Sequence, residues 1–573
     1  MTPDPVDATV QPSDIGRLLS AAQEWIRADP DPATREQLRR VVVRGDPEEL
    51  SELLDGRLQF GTAGLRAALG PGPNRMNRAV VRRAAAGLSR HLLASVEDCR
   101  RRGVVVGRDG RHGSDAFARD VVEVLAAHGL EVHAFVDPVP TPLPAFTVLR
   151  LGACAGVVVT ASHNPASDNG MKVYWADGAQ IVAPVDVAIA AAIDEVATDG
   201  HVLPPDGGPP AAVHDLGAAT SDDACVVAYV ERAVSIARNG LTDTDEEQIR
   251  LAATSLHGVG AQLLERVLRA GGYTDLHQVA SQREPDPDFP TVEFPNPEEP
   301  GALDQLFDLA GLVRADLAIA NDPDADRLAV AVPDRSGSWR ALSGDDTGAL
   351  LANHLLEHSS DTPPRLLATT VVSSRLVSAM AAAAGVQFRE TLTGFKWLCR
   401  PGIEHPEWQQ VLLYEEALGY AIGPSSRDKD GIVAALVFAD LVSGLRRRDR
   451  TVWDVLDELA ERHGAHVQRN GSVRPAGAGA QRRLTSLVDS LVEAPPRRLG
   501  GQRVERAERP DADVLRLVLA DDTRVIVRPS GTEPKLKYYC EAIEPVRASV
   551  ADARAIAAER LDRVADELTS LLA

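Results

Sequence analysis

The chain has 573 residues, 44% hydrophobic and 25% charged, with a formal net charge of −22. That length exceeds one hydrophobic core and predicts about three to five domains, while the acidic balance excludes a general binder of nucleic acid or anionic membranes. No apolar run spans a bilayer, no secretion signal opens the chain, and Cys99, Cys154, Cys225, Cys399 and Cys540 stand singly, which excludes a CxxC zinc site and fits a reducing cytoplasm.

In chain order, Ile15, Leu18, Leu19, Ala22 and Trp25 recur at helix spacing and predict that 13–45 is helical, with 1–44 as a helical extension ahead of the first unit. From about Arg78 helices and strands alternate. A helix over 82–93 leads to a strand at 104–106, and a helix over 115–128 leads to strands at 131–136 and 153–159. The Pro- and Gly-rich stretch 200–212 reads as a linker that closes a unit over 45–212. A second unit, 213–335, has a helix at 224–238 and strands at 249–254 and 317–320. Its segment 284–300 is rich in proline and acid and has neither period. A third α/β unit covers 336–464. The fourth, 465–573, has strands at 514–519 and 523–527. It ends in a helix with Ala557, Leu561, Val564, Leu568 and Leu571 on one stripe.

Four strand ends carry chemistry. Val157-Val158-Val159 is followed by Thr160-Ala161-Ser162-His163-Asn164-Pro165, a serine, a histidine and an Asn-Pro turn at a ligand-binding edge. Ser162 is a candidate nucleophile. Asn169-Gly170 reads as a tight turn that folds Lys172 back toward it. His163 either orients this loop or acts as a base. Leu317–Ala320 is followed by Asn321-Asp322-Pro323-Asp324-Ala325-Asp326-Arg327. On an extended backbone Asp322, Asp324 and Asp326 point one way, and Mg²⁺ suits three convergent carboxylates. Val411-Leu412-Leu413 leads to Tyr414-Glu415-Glu416-Ala417-Leu418-Gly419-Tyr420, whose paired glutamates suit vicinal sugar hydroxyls. The fourth end is Arg528-Pro529-Ser530-Gly531-Thr532-Glu533-Pro534-Lys535-Leu536-Lys537. Its guanidinium, hydroxyls and glycine read as a phosphate clamp. It is the locally basic spot that an anionic substrate needs on so acidic a chain.

Together these four loops closely resemble the α-D-phosphohexomutase superfamily of phosphosugar mutases, one loop per unit and in the family's order. Phe60-Gly61-Thr62-Ala63-Gly64-Leu65-Arg66, Pro140-Thr141-Pro142 and Thr393-Gly394-Phe395-Lys396-Trp397 add to the match. The resemblance implies three similar mixed α/β/α domains and a smaller C-terminal α+β domain around a central cleft. It implies phosphate carried on Ser162 and one Mg²⁺ on Asp322, Asp324, Asp326 and an oxygen of that phosphate. Arg66, Lys172 and His163 are the candidates for acid–base work or charge stabilisation. Arg327, Glu415, Glu416 and Lys429 would bind the sugar. Thr393, Gly394 and Lys396 would tell its two orientations apart. Arg528, Ser530, Gly531, Thr532 and Lys537 would hold the second phosphate. The partner implied is a small phosphosugar, with a sugar bisphosphate as activator. Asp109, Arg111 and Ser114 fit a family-like Asp-x-Arg segment or an ordinary turn.

Ala417 stands where many members carry Ser. With Asp286-Pro287-Asp288-Phe289-Pro290 and Asn296-Pro297-Glu298-Glu299, it resembles the phosphoglucomutase-2-type branch, which includes phosphopentomutases and sugar-1,6-bisphosphate synthases. The activity expected is 1↔6 transfer on a glucose or mannose phosphate, with pentose 1↔5 transfer or synthesis of a sugar 1,6-bisphosphate as the alternatives. Two other readings differ in class. One is a haloacid-dehalogenase-like phosphatase with Asp322 as nucleophile, and the other is a non-catalytic phosphosugar-binding protein.

Overall fold

The computed structural model describes residues 12–58, 64–204, 208–237, 249–359, 364–424, 426–473, 480–529 and 535–572. The N-terminal stretch is helical as expected, and prolines divide it. Helix Pro12–Ala28 stops before Pro30, and Asp31 caps helix Pro32–Arg44 by accepting from the Ala33 N–H. Helix Pro47–Leu54 follows on an Asp46 cap. The three bury Leu18, Trp25, Leu38 and Leu50 in one cluster with Ala79 of the next helix.

The first sheet contains β1 (Leu65–Ala68), β2 (Val104–Arg108), β3 (Val132–Phe135), β4 (Ala155–Val159), β5 (Asp168–Trp175) and β6 (Val213–Leu216), in the order β1-β5-β4-β2-β3-β6. β2 and β4 are parallel at its centre. Helices cover both faces, so these strands are unbroken runs of small aliphatics rather than alternating ones. β6 pairs with β3, so the first sheet extends past the boundary expected at 212. The second sheet contains β7 (Leu251–Thr254), β8 (Leu276–Gln278), β9 (Leu317–Ala320), β10 (Ala329–Pro333) and β11 (Trp339–Ala341), ordered β11-β10-β9-β7-β8. β11 likewise lies past the boundary expected at 335.

The third sheet contains β12 (Arg365–Thr370), β13 (Gln387–Thr391), β14 (Gln409–Glu415) and β15 (Gly419–Ile422), ordered β13-β12-β14-β15. The fourth contains β16 (Ala465–Val473), β17 (Arg498–Leu499), β18 (Gln502–Asp511), β19 (Val514–Leu519), β20 (Arg524–Pro529) and β21 (Leu536–Glu544). Its pairings are all antiparallel, and helix Val550–Leu572 packs on it. That helix buries Ala557, Leu561, Val564 and Leu568 as its stripe requires. The stripe's last position is Leu572, since Leu571 is 43% exposed. The architecture is therefore α/β, with three mixed sheets between helices and a C-terminal α+β unit. Among the described residues no helix is long and apolar enough to cross a membrane.

One topological move recurs. In the first three sheets a strand paired in parallel with its inner neighbour ends in a loop and returns antiparallel beside itself: β4 to β5, β9 to β10, β14 to β15. The fourth sheet repeats the return between β20 and β21. All four chemistry-bearing segments fall at these returns.

A buried carboxylate helps to fasten the C-terminal unit to the third, beside an apolar cluster of Val371 and Val372 with Val514, Ile526 and Tyr539. Glu541 on β21 is 1% exposed. It accepts from Ser374 Oγ, from the Arg375 N–H and from Arg375 Nε, each at 2.8 Å, and it lies 3.1 Å from both His466 Nδ1 and Arg524 Nη2. Burial pushes this carboxyl's pKa up, but Arg524, His466 and Arg375 more than offset it and hold it well below the usual range. A depressed pKa gives stability that is present above the ordinary glutamate range and lost as pH falls below about 4. Glu541→Gln is expected to lower the unfolding free energy of this unit by about 3 kcal/mol at pH 7. Scanning calorimetry checks this, and the wild type should converge on the variant at acid pH.

Candidate active site

The serine loop is held by its backbone. Ser162 has φ 54, a left-handed conformation that a non-glycine residue adopts only under constraint. The Thr160 hydroxyl accepts from the Ser162 N–H at 2.8 Å. Arg111 donates to the carbonyls of Ser162, Asn164 and Pro165 at 2.5, 2.6 and 2.7 Å. Asp109 lies 3.3 Å from Arg111 Nε and accepts from Ser114 Oγ at 2.6 Å. Of the two readings left open for this turn, the structure supports loop positioning. Arg66 on β1 donates to Asn164 Oδ1 at 3.0 Å. Ser162 Oγ then projects from the sheet edge, donating to Asp322 Oδ2 at 2.9 Å with His163 Nδ1 at 3.1 Å. Burial, together with Arg327, Arg66 and Lys429, holds His163 well below the usual histidine range, so its ring is neutral.

The three carboxylates converge by a turn, not by the extended backbone that the alternating pattern implies. Ala325 has φ 56, and its N–H donates to the Asp322 carbonyl at 2.8 Å. Asp322, Asp324 and Asp326 are fully buried, with one oxygen from each within 4.8 Å of the others. Burial, then Asp326 and Asp324, pushes Asp322 well above the ordinary carboxylate range. Asp324 Oδ2 accepts from Lys172 Nζ at 2.7 Å and from Thr141 Oγ1 at 2.8 Å. Asp326 Oδ2 accepts from Lys172 Nζ at 2.7 Å. Asp324 Oδ1 and Asp326 Oδ1 remain buried without a partner. Orphaned anionic oxygens in a ring of carboxylates fit a hard divalent cation.

Lys172 arrives by a different route from the one its neighbours suggest. Asn169 and Gly170 lie inside β5 and form no turn, and β5 returns antiparallel with Lys172 opposite Val158. Its ammonium meets Asp324 and Asp326, and their charges outweigh the effect of burial and keep it protonated.

Arg327 links two loops. Its N–H donates to Asp322 Oδ1 at 3.0 Å, its backbone bridges to Gly419, and Nη1 lies 3.2 Å from Glu298 Oε2. Lys429 Nζ stands between Asp326 Oδ2 and Glu415 Oε1, at 3.4 and 3.7 Å. Glu416 accepts within its own unit, from Thr370 Oγ1 at 3.3 Å and Ser373 Oγ at 3.4 Å. Thr393 and Gly394 precede the short helix Phe395–Leu398. Phe395 packs against Gly419, and Lys396 Nζ lies 5.5 Å from the centre of the Trp397 ring. Arg528 and Lys537 are paired across β20 and β21. Burial, then the charges of Arg528 and Lys535, lowers the Lys537 pKa. Ser530, Gly531 and Thr532 lie outside the described residues, as do Phe60 to Ala63. The Nε atoms of Arg66, Arg327 and Arg528 are buried without a partner, a pattern that suits anions.

Thr141 of the Pro140-Thr141-Pro142 segment, Thr160 of the serine loop and Lys429 reach the carboxylates from other loops. Gly258 backs the carboxylate turn so closely that a Cβ there would fall on the Pro323 backbone, while the Val259 N–H donates to the Pro323 carbonyl at 2.8 Å. Thr141 has a local signal, its place between Pro140 and Pro142. Gly258 has none.

Loops of the first three sheets thus bring a serine hydroxyl and several cations to a buried ring of carboxylates. The chain belongs to the phosphoglucomutase/phosphomannomutase family within the α-D-phosphohexomutase superfamily. Family models for its alpha/beta/alpha domains I, II and III match residues 57–199, 228–337 and 343–463, and the model for its C-terminal domain matches 491–563. The chain is 33% identical to a phosphopentomutase of Homo sapiens over 92% of each chain. It is 39% identical to the "Probable phosphomannomutase" of Haemophilus influenzae, covering 82% of this chain and 93% of that one. A family protein of Burkholderia thailandensis has the same fold, with a TM-score of 0.66 at 20% identity over 89% of this chain and 97% of the other. The protein is therefore a mutase, an intramolecular phosphotransferase. Asp322 partners the serine hydroxyl rather than standing alone as a phosphatase nucleophile.

Asp324→Asn is expected to weaken divalent-cation binding by at least about tenfold, measured by Mn²⁺ titration with paramagnetic detection. Gly258→Ala, which displaces the carboxylate turn without touching a ligand, should weaken it in the same direction.

Proposed function

We propose that the protein moves a phosphoryl group between the C1 and C6 hydroxyls of a hexose phosphate, glucose or mannose. It does so through phosphoserine at Ser162 and a hexose 1,6-bisphosphate. The observation that carries this reading is a pair of separate phosphate positions. One is Ser162 Oγ, 2.9 Å from Asp322. The other is Arg528 beside Lys537 on the edge of a different sheet. A hydrolase needs one such position, whereas a mutase needs one that reacts and one that holds.

The substrate's own phosphate rests on Arg528 and Lys537, with Ser530, Gly531 and Thr532 of the same loop. Its free hydroxyl oxygen bonds to phosphorus as the bond from phosphorus to Ser162 Oγ breaks. The bisphosphate turns over, its other phosphoryl group returns to Ser162, and the isomer leaves. The proton given up by the attacking hydroxyl ends on Ser162 Oγ, so the exchange is proton-neutral, and the neutral His163 ring, with Nδ1 3.1 Å from Oγ, hydrogen-bonds to that oxygen and relays the proton. Arg66 and Lys172 contribute fixed positive charge. Asp322, Asp324 and Asp326 would hold Mg²⁺, which when bound neutralises charge on the phosphoryl oxygens. Glu415 and Glu416 accept from ring hydroxyls, and Lys429 and Arg327 hold that loop against the carboxylate turn. Thr393, Gly394 and Lys396 distinguish the two orientations. A catalytic amount of hexose bisphosphate keeps Ser162 phosphorylated.

Ser162→Ala should lose at least about a thousandfold in kcat and take up no label from ³²P-labelled hexose bisphosphate. Full activity in that variant would overturn the scheme. The pentose 1↔5 reading is favoured by one observation, the likeness to the human phosphopentomutase across 92% of both chains. Comparing kcat/KM for glucose 1-, mannose 1-, ribose 1- and deoxyribose 1-phosphate separates the two readings. A hexose preference of at least about tenfold is expected, and the reverse order assigns the pentose activity.

A further inference from the structure

The segment 284–300 has no helix or strand, yet it is fastened to the active site at both ends. At one end Phe289, 3% exposed, packs on the Arg111 guanidinium at 4.9 Å from ring centre to carbon, and Asp288 meets His112 at 2.7 Å. Arg111 is the residue that grips the serine loop. At the other end the Asn296 side chain accepts from the Glu298 N–H at 3.2 Å, and the Asn296 carbonyl accepts from the Glu299 N–H at 3.0 Å. Pro297 and Pro300 flank this turn and leave it little conformational freedom to lose. Glu298 Oε2 then lies 3.2 Å from Arg327 Nη1. Arg327 is itself fixed by Asp322 and Gly419.

The Glu298 side chain remains 42% exposed and lines a cavity of about 480 Å³. Opposite it are Glu416 and Ala417 of the sugar loop and Lys537 and Tyr539 of the C-terminal sheet. The volume suits a monosaccharide phosphate. Ala417 offers no polar side-chain atom, and the polar side chains around this cavity are Glu298 and Glu416 with Asp345, Ser343, Asn470 and Lys537 among others. The charge of Glu298 acts on both Glu416 and Lys537.

We infer that Glu298 is a specificity-determining residue. Held by Arg327 and the proline-bounded turn, its carboxylate accepts a hydrogen bond from a ring hydroxyl of the bound phosphosugar, from the wall facing Glu416. The inference rests on the mutase reading for its substrate class. A buried or half-buried carboxylate that reads a hydroxyl discriminates strongly between epimers, because the wrong one leaves it unpaired.

The test uses the full chain and its variants Glu298→Gln, Glu298→Asp and Glu298→Ala, with glucose 1-, mannose 1- and ribose 1-phosphate as probes. Binding is measured by titration calorimetry and turnover by kcat/KM. In Glu298→Gln the ratio of affinities among the three sugars should change by about tenfold or more. KM should rise for the preferred sugar while kcat changes by less than about threefold. Glu298→Asp should restore part of the ratio, which a purely structural role would not require. Equal losses for all three sugars, no change, or no binding of any of them to the wild type would overturn the inference. If the wild type binds these sugars but turns none over, the mutase reading fails, and the calorimetric ratio still decides the role of Glu298.

Discussion

Three fully buried carboxylates in one turn repel one another, and the rest of the structure is organised around that repulsion. Burying a charge is tolerable only when opposite charge and hydrogen bonds surround it. The neutralising groups come from different sheets. Lys172 comes from β5 of the first unit, Arg327 follows Asp326 directly, and Lys429 comes from the third unit. Thr141 and Thr160 complete the shell. A cluster that could not exist in a single unit therefore draws three units to a common point. The two carboxylate oxygens left unpartnered there mark where a cation belongs.

The repeated strand–loop–return unit explains how three loops remote in sequence come to meet. A parallel strand ends at the ligand-binding edge of its sheet. An antiparallel return shortly afterwards ties down both ends of the loop. In the first three sheets the strands on either side of each loop are thus fixed by ladder hydrogen bonds. Arg111 adds a further constraint at the serine loop, where three carbonyls point at one guanidinium.

Much of this was legible in the sequence. Unbroken aliphatic runs such as Val157–Val159 and Leu317–Ala320 identify buried strands, and the polar loops after them announce themselves by chemistry. What escaped is what depends on distant partners. Asn169-Gly170 has the composition of a turn, but strand pairing with Leu65 to Ala68 overrides it. Alternating aspartates suggest an extended backbone, but burial and the Gly258 contact favour a turn. Val213–Leu216 reads as the start of a new unit, yet it completes the first sheet's edge, because an open edge strand gains more from pairing than a linker does from remaining free. The sheet partners of a short strand cannot be read from its own residues.

Some cations of this protein are hidden, although many others are exposed. The chain as a whole carries −22, while Arg327 is buried and Arg66, Arg528 and Lys537 are half-buried. A dissolved anion meets the repulsion of the net charge first and the attraction of these cations only at close range. Dissolved salt screens exposed charges over a Debye length of about 8 Å at physiological strength and affects buried ones far less. Ionic strength therefore weakens the outer repulsion more than the inner attraction. Many proteins that capture phosphate on an exposed basic surface lose affinity as salt rises; here the same salt thins the barrier and spares the trap.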